Sequence, residues 1–301
     1  MAQHRVTGQL KPVPPFDFTK SLEFLGIFSP TMGEQTLEEQ SLTKAISSGG
    51  QVAAFTVRSV GSVKDPLLEY KLVSDEPIGD DLQQKAADRI GFYLSINDDL
   101  IPFYTIARQD AAFAPVLQRL YGYHQVKFLT PFENAAWAIV SQRNPMAVAR
   151  KVKVKLTERY GGSIIIDGLT YRAFPEAGVL ASVPPDELIE IVKHEKKAEY
   201  LRSAAEAFAR ADEQFLRTGK YEDVEAWLLG IKGIGPWSAT FIMLRGLGRM
   251  ERIPLSEGRL EGVAAAMYNE GRPLSPAELE KLASRYGAEA GHWVHYLRVG
   301  G

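Results

Sequence analysis

The stretch GIKGIGPWSATFIMLRGLGRMERIPLSEGRLEGV, residues 230–263, gathers residue types that can do chemistry together. Gly230, Gly233 and Gly235 can take positive φ or let another backbone approach closely. Pro236 suits the first turn of a helix, where its missing N–H costs nothing. A glycine hairpin feeding a helix N-terminus leaves N–H groups that can receive a phosphate. Lys232 adds a positive charge at the tip, and Leu228, Ile231 and Ile234 have the character of apolar anchors. An ordinary connection between packed helices is the other reading of the same residues. Trp237 and Phe241 are one turn apart on the following helix, placed either to stack on a flat ligand or to face the interior. Glu257 stands in the loop before the next helix. With Ser256 as N-cap it suits the helix dipole, and a carboxylate is also the group that stabilises developing positive charge or orients a water.

The elements that must position these groups form two textures. Over residues 1–95 the chain reads as α+β: an irregular arm with three prolines to residue 15, and a helix in FDFTKSLEFLGIF. Strands follow in QVAAFTVRSVG (51–61) and PLLEYKLVS (66–74), then a helix with an acidic first turn over 79–96. Residues 96–301 read as helices at short intervals, punctuated by proline and glycine, with one small hairpin in SIIIDGLTYRAF. Two domains follow: residues 1–95 as an α+β unit and 96–301 as a helical body.

Composition narrows the function classes. The 301 residues carry 35 Lys and Arg against 37 Asp and Glu, a net charge of −2, so a polyanion site must be a local patch. There is no cysteine, which excludes disulfides, thiolate metal sites and cysteine nucleophiles. No apolar run reaches the ~20 residues needed to span a bilayer, and the expectation is a cytoplasmic protein. RKVKVK (150–155) places Arg150, Lys151, Lys153 and Lys155 on one segment, as a solvated face or one rim of a nucleic-acid track. His292 and His295 in HWVH have metal-ligand spacing but no acidic or cysteine partners nearby in sequence, so no metal site is assigned.

The segment LLGIKGIGPWSATFIMLRGLG resembles the hairpin of the helix-hairpin-helix DNA glycosylase superfamily, and most of all its 3-methyladenine DNA glycosylase II branch. LTPFENAAWAIVSQRNPMAVARKV resembles the family helix that ends in a glutamine and a DNA-probing loop. AFPEAGVLASVPPDELIEIVKHEKKAEYLRSAAEAFA and PPFDFTKSLEFLGIF resemble further parts of the branch. The likeness covers roughly residues 14–28 and 128–265. It implies a mainly α fold: a two-lobed helical body with the active-site cleft between the lobes. The small antiparallel-sheet N-terminal domain would resemble half of a TATA-binding protein.

The resemblance also implies an activity and its residues: a monofunctional glycosylase of base excision repair, hydrolysing alkylated purines such as 3-methyladenine from duplex DNA after flipping the base. The family's catalytic Asp falls here on Glu257, a departure by one methylene. The lysine of its lyase members falls on Trp237, so no lyase activity is expected. Trp237, Phe241 and Phe24 match pocket positions, where an electron-rich wall would favour cationic bases. Gly258 stands where relatives have larger residues, which would make the pocket roomier. Gly230, Lys232, Gly233, Ile234 and Gly235 would grip the backbone. Gln142, Arg143 and Asn144 would probe the gap left by the flipped nucleotide, with Arg143 as the wedge; the same loop also reads as a plain polar connection. The expected partner is damaged double-stranded DNA, bound by a monomer without cofactor, metal or membrane. Two alternatives stand: a lesion-sensing protein of the same fold without catalysis, and a glycosylase for deaminated or ethenoadenine bases.

Overall fold

The computed structural model describes residues 3–254 and 258–301. Glu257 and its neighbour Ser256 therefore lie outside the described residues.

Five antiparallel strands open the chain: β1 (His4–Leu10), β2 (Gln35–Glu38), β3 (Ser41–Ser48), β4 (Gln51–Ser59) and β5 (Leu68–Ser74), in the order β1-β5-β4-β3-β2. The irregular arm expected over residues 1–15 is corrected here. Residues 4–10 are an edge strand, paired in register from His4 opposite Ser74 to Leu10 opposite Leu68. β1 gave a weak signal because an edge strand half-buries only alternate residues; its glycine, Gly8, lies under the Tyr70 ring. Helix α1 (Phe18–Ile27) starts at Asp17, whose carboxylate accepts from the Thr19 N–H at 3.1 Å. It packs with α2 (Asp80–Tyr93) against the sheet face carrying Phe55, Val57 and Leu72. The opposite face is built from small residues, Ala45 and Ala54 beside Val73. This lets a hairpin from the helical body, β6 (Ser163–Ile166) and β7 (Leu169–Arg172), lie against it through Ile164 and Tyr171.

The rest is helical: α3 (Ile101–Ala107), α4 (Ala114–Arg119), α5 (Pro131–Ser141), α6 (Met146–Tyr160), α7 (Ala177–Ala181), α8 (Pro185–Val192), α9 (Glu195–Ala209), α10 (Glu213–Thr218), α11 (Tyr221–Leu229), α12 (Pro236–Gly246), α13 (Gly258–Tyr268), α14 (Pro276–Ser284) and α15 (Ala290–Gly300). Two apolar cores organise them. One joins the sheet and α1–α4 to the C-terminal helices α13–α15 around Trp293 and Leu297. The other is made by α5–α12. Phe28 packs against both, so the seam between the cores runs past the end of α1.

A buried ionic cluster crosses the same region. Lys153 of α6 is only 2% exposed. Its ammonium lies 2.6 Å from Glu133 of α5, 2.6 Å from Glu34 and 3.1 Å from the Pro30 carbonyl. Lys44 of β3 reaches Glu34 at 3.0 Å. Burial opposes ionisation of Glu34, but Lys153 and Lys44 more than offset it and hold its carboxyl below the usual range. The RKVKVK run is thus not one solvated basic face. Lys153 turns inward and belongs to the packing, while Lys151 and Lys155 are exposed and Arg150 half-buried.

Candidate nucleic-acid interface

The glycine hairpin joins α11 to α12. Leu228, Ile231 and Ile234 are buried and anchor it, and two bonds close the turn, Ile231 N–H to Leu228 and Ile234 N–H to Ile231. Of its three glycines only Gly233 has positive φ, at 93°. A Cβ there would come within 2.2 Å of the Tyr200 ring on α9, so both the turn and a close approach require glycine. Gly230 ends α11 in ordinary helical geometry, and Gly235 is extended with open space around it. The expectation of special backbone therefore narrows to one of the three. Gly235 caps helix α12 without a side-chain bond and Pro236 lies in its first turn, so the cap supplies no side-chain partner to the first N–H groups. Lys232 is exposed but is not a mobile charge: it pairs with Glu199 of α9, which raises its pKa.

The Gln142–Asn144 loop meets the hairpin directly. Gln142 caps the end of α5 and donates through Nε2 to the Gly233 carbonyl at 2.9 Å and to Ser238 Oγ at 3.3 Å. Asn144 Nδ2 donates back to the Val140 carbonyl at 2.8 Å. Between them Arg143 is exposed and left-handed, with φ 51°. An αL residue that is not glycine is costly without a local reason. Here the flanking side chains fix the turn and leave the guanidinium outside it.

Both elements line one open cleft of about 1400 Å³ together with Lys193, which ends α8, and His194, Lys196, Lys197 and Tyr200 from the start of α9. Arg143, Lys193 and Lys196 are exposed there against a single acidic residue, Glu195, so the cleft is a local basic patch on a chain of negative net charge, while Lys197 is buried beneath it. Lys193 and Lys196 of KHEKKAEY were missed as cleft residues, and Lys197 as the buried lysine behind them. A signal existed: Lys196 and Lys197 stand in the first turn of a helix, where cations oppose the dipole.

From the hairpin an aromatic run leads inward to the seam. Trp237, 42% exposed, stacks on Phe241 with centroids 5.2 Å apart and planes at 6°. Phe241 meets Phe128 edge-on at 6.3 Å, Phe128 meets Phe28 at 5.5 Å, and Phe28 stacks on Phe24 at 4.9 Å. The three aromatics singled out from sequence thus share one run, with Phe28 and Phe128 between them. Phe24 itself is buried at 7% exposure. Arg245 of α12 lies under the inner end, its guanidinium 5.0 Å from the Phe24 ring and 4.9 Å from Phe28. It contacts His295 Nδ1 at 3.2 Å and donates to the Val126 carbonyl at 2.9 Å. Burial, reinforced by Arg245, pushes the His295 pKa well below its ordinary value, so the ring is neutral; Nδ1 accepts from Arg245, and Nε2 lies 3.0 Å from the Tyr123 hydroxyl. His292 instead pairs at 2.7 Å with Glu289, three residues before it, which corrects the expectation that no acidic partner stands nearby. Among the described residues no three His, Asp or Glu side chains converge as a metal site, and no helix is long and apolar enough to cross a membrane.

A family model of HhH-GPD superfamily base excision DNA repair proteins matches residues 136–288, a span that includes the Gln142–Asn144 loop, the cleft lysines and the hairpin. The chain belongs to that superfamily. It is 26% identical over 263 residues to a DNA-3-methyladenine glycosylase of Bacillus subtilis, covering 87% of this chain and 86% of the relative. A 3-methyladenine DNA-glycosylase from Archaeoglobus fulgidus superposes with a TM-score of 0.79 at 20% identity, covering 97% of both chains. An 8-oxoguanine glycosylase/lyase of Clostridium acetobutylicum, in complex with double-stranded DNA, gives 0.68 at 15% identity, with 98% and 96% covered. Both structural likenesses are likenesses of fold: a helical body behind an antiparallel sheet.

Proposed function

We propose that this repair protein is a monofunctional DNA glycosylase that hydrolyses the N-glycosidic bond of alkylated purines in duplex DNA. The observation that carries the reading is the juxtaposition of the Trp237–Phe241 stack with the hairpin. A flat, exposed aromatic platform begins two residues after Gly235, beside the N–H groups that would hold a phosphate. The names of the Bacillus subtilis and Archaeoglobus fulgidus relatives support the substrate class.

The groups divide the work as follows. The hairpin and the basic cleft hold the backbone of damaged duplex DNA. Arg143 enters the gap left by the everted nucleotide, and Gln142 and Asn144 shape the turn that carries it. The purine stacks on the outer face of Trp237, backed by Phe241, and the run through Phe128 to Phe28 and Phe24 supports that stack from behind. Glu257 supplies the carboxylate. As the C1′–N bond breaks, its electrons leave with the base; the carboxylate stabilises the cationic sugar and takes a proton from the water that bonds to C1′. Alkylated purines are already cationic leaving groups, which lowers the need for a general acid. Trp237 occupies the position of the lyase lysine, so the product is an abasic site rather than a cut strand. In this reading the protein works as a monomer, with residues 1–95 as the accessory domain and 96–301 as the catalytic body.

A second reading of the substrate is favoured by Arg245. Its guanidinium puts a buried positive charge against Phe24 and Phe28 behind the stack, which favours a neutral lesion, such as ethenoadenine or hypoxanthine, over a cationic one on Trp237. Duplexes carrying methylated purines, ethenoadenine or hypoxanthine, assayed in parallel for free base and for borohydride-trapped adducts, test both readings. Release of methylated purines without a trapped adduct is the expected result. A trapped adduct contradicts hydrolysis by water, and binding with no release on any lesion contradicts catalysis.

A further inference from the structure

The first turns of α9 support both DNA-facing elements at once. Tyr200 seats Gly233 at the hairpin tip, Glu199 pairs with Lys232, and Lys197 reaches the opposite loop. Lys197 is 8% exposed, and its ammonium donates to the Gln142 carbonyl at 2.5 Å. That carbonyl belongs to the peptide bond leading into the left-handed Arg143. The side chain of the same Gln142 is held by the hairpin through Gly233 and Ser238. One residue, Gln142, is thus gripped at its backbone by α9 and at its side chain by the hairpin, and the next residue is the exposed arginine.

We infer that Lys197 is a positioning residue that locks the Gln142–Asn144 turn to the hairpin, so that phosphate grip and Arg143 projection occur in one rigid frame. The inference rests on the reading of that loop as the DNA probe. A lysine serving only as a phosphate contact would stand in solvent and spend its donors on DNA. This one is buried, which lowers its pKa, and points a charge-assisted bond at a backbone oxygen. Removing it leaves the carbonyl without that donor and frees a peptide bond next to a strained φ. The expected loss is one of loop order and probe insertion rather than of general affinity for DNA.

Two readouts separate the structural lock from the functional reading. The first needs no DNA: trypsin cleavage after Arg143, followed by the mass of fragment 1–143. It should be at least tenfold faster in Lys197→Met than in wild type and return to within threefold in Lys197→Arg. Unchanged cleavage in Lys197→Met overturns the inference. Should Lys197→Met fail to fold, hydrogen exchange on the wild-type protein decides instead. Peptides covering 141–145 and 195–200 should open together with increasing denaturant, and independent opening overturns the lock. The second readout is the fluorescence of 2-aminopurine placed opposite a tetrahydrofuran abasic analogue. Lys197→Met should lose the binding-induced change as Arg143→Ala does, while its affinity for undamaged duplex stays within threefold. If affinity for undamaged duplex falls in step with the signal, Lys197 is a phosphate contact and the inference is wrong. If Arg143→Ala itself leaves the wild-type signal intact, the probe reading fails, and the trypsin result alone upholds the lock.

Discussion

The indole of Trp237 and the ring of Phe241 lie almost parallel, with 5.2 Å between centroids and 6° between planes. A flat base cannot enter between them, because two layers of carbon contacts need about 7 Å. It must lie on the outer face of Trp237, with Phe241 as backing. Base–aromatic stacking is worth about 1–3 kcal/mol per base by alanine substitution. Single-turnover base release by Trp237→Ala should therefore fall about tenfold to a hundredfold, and Trp237→Phe should retain most of the rate. A Trp237→Ala variant with wild-type kinetics would remove Trp237 from the pocket.

Gly233→Ala tests the hairpin itself. The backbone sits at φ 93°, and the new methyl would meet the Tyr200 ring at 2.2 Å. Positive φ alone costs on the order of 1–3 kcal/mol away from glycine, and Tyr200 must also move. Affinity for undamaged duplex should drop at least tenfold, with the salt dependence of what binding remains made shallower. Gly235→Ala, where a Cβ meets nothing within 4 Å, is the control and should fold and bind normally. Equal losses at the two glycines would contradict the assignment of the tight turn to Gly233.

Lys153→Met should be among the most damaging single changes outside the site. It strands Glu133 and Glu34, which Lys153 contacts at 2.6 Å each, in a buried setting. Breaking a buried pair by removing one partner costs about 3–5 kcal/mol. Urea titration reads this directly. Combining Lys153→Met with Glu133→Leu should recover part of the loss, because one stranded charge is removed; a strictly additive double variant would contradict the cluster.

Stability should also depend on pH through two buried imidazoles. Burial lowers the pKa of His124 and, with help from Arg245, pushes that of His295 well below the ordinary 6.5. Both are neutral in the folded chain and take up a proton on unfolding once pH drops below that ordinary value. The unfolded state then binds more protons. The stabilisation is therefore full above pH 6.5 and is lost as pH falls through it, by about 1.4 kcal/mol per pH unit for each proton taken up. Denaturant midpoints at pH 7.5 and 5.5 should differ clearly, and coincident midpoints would contradict neutral burial of these rings.

Much of this site could be read in the sequence, for physical reasons that differ by residue. The hairpin shows because φ > 0, a helix start and apolar anchoring each demand a residue type, and GIKGIGPW meets all three locally. The Gln142–Asn144 turn shows through Pro145 and the break in helical periodicity. Phe28, Phe128 and Arg245 did not show. Their roles come from three segments meeting at the seam between two cores, and no spacing along the chain encodes that meeting. Lys153 misled for the same reason: Glu34 and Glu133, which draw it inward, stand 119 and 20 residues away. β1 was hidden by its edge position, which leaves only alternate residues half-buried.

Single-turnover release of base from methylated duplex DNA by wild type and Glu257→Gln bears most directly on the catalytic reading. The amide keeps the size of the side chain, exchanges one acceptor oxygen for an NH2 donor, and removes the charge that the cationic sugar needs. The expected result is loss of at least a hundredfold in rate with DNA affinity within threefold of wild type. A Glu257→Gln protein that releases base at the wild-type rate would show that the carboxylate does not carry the reaction.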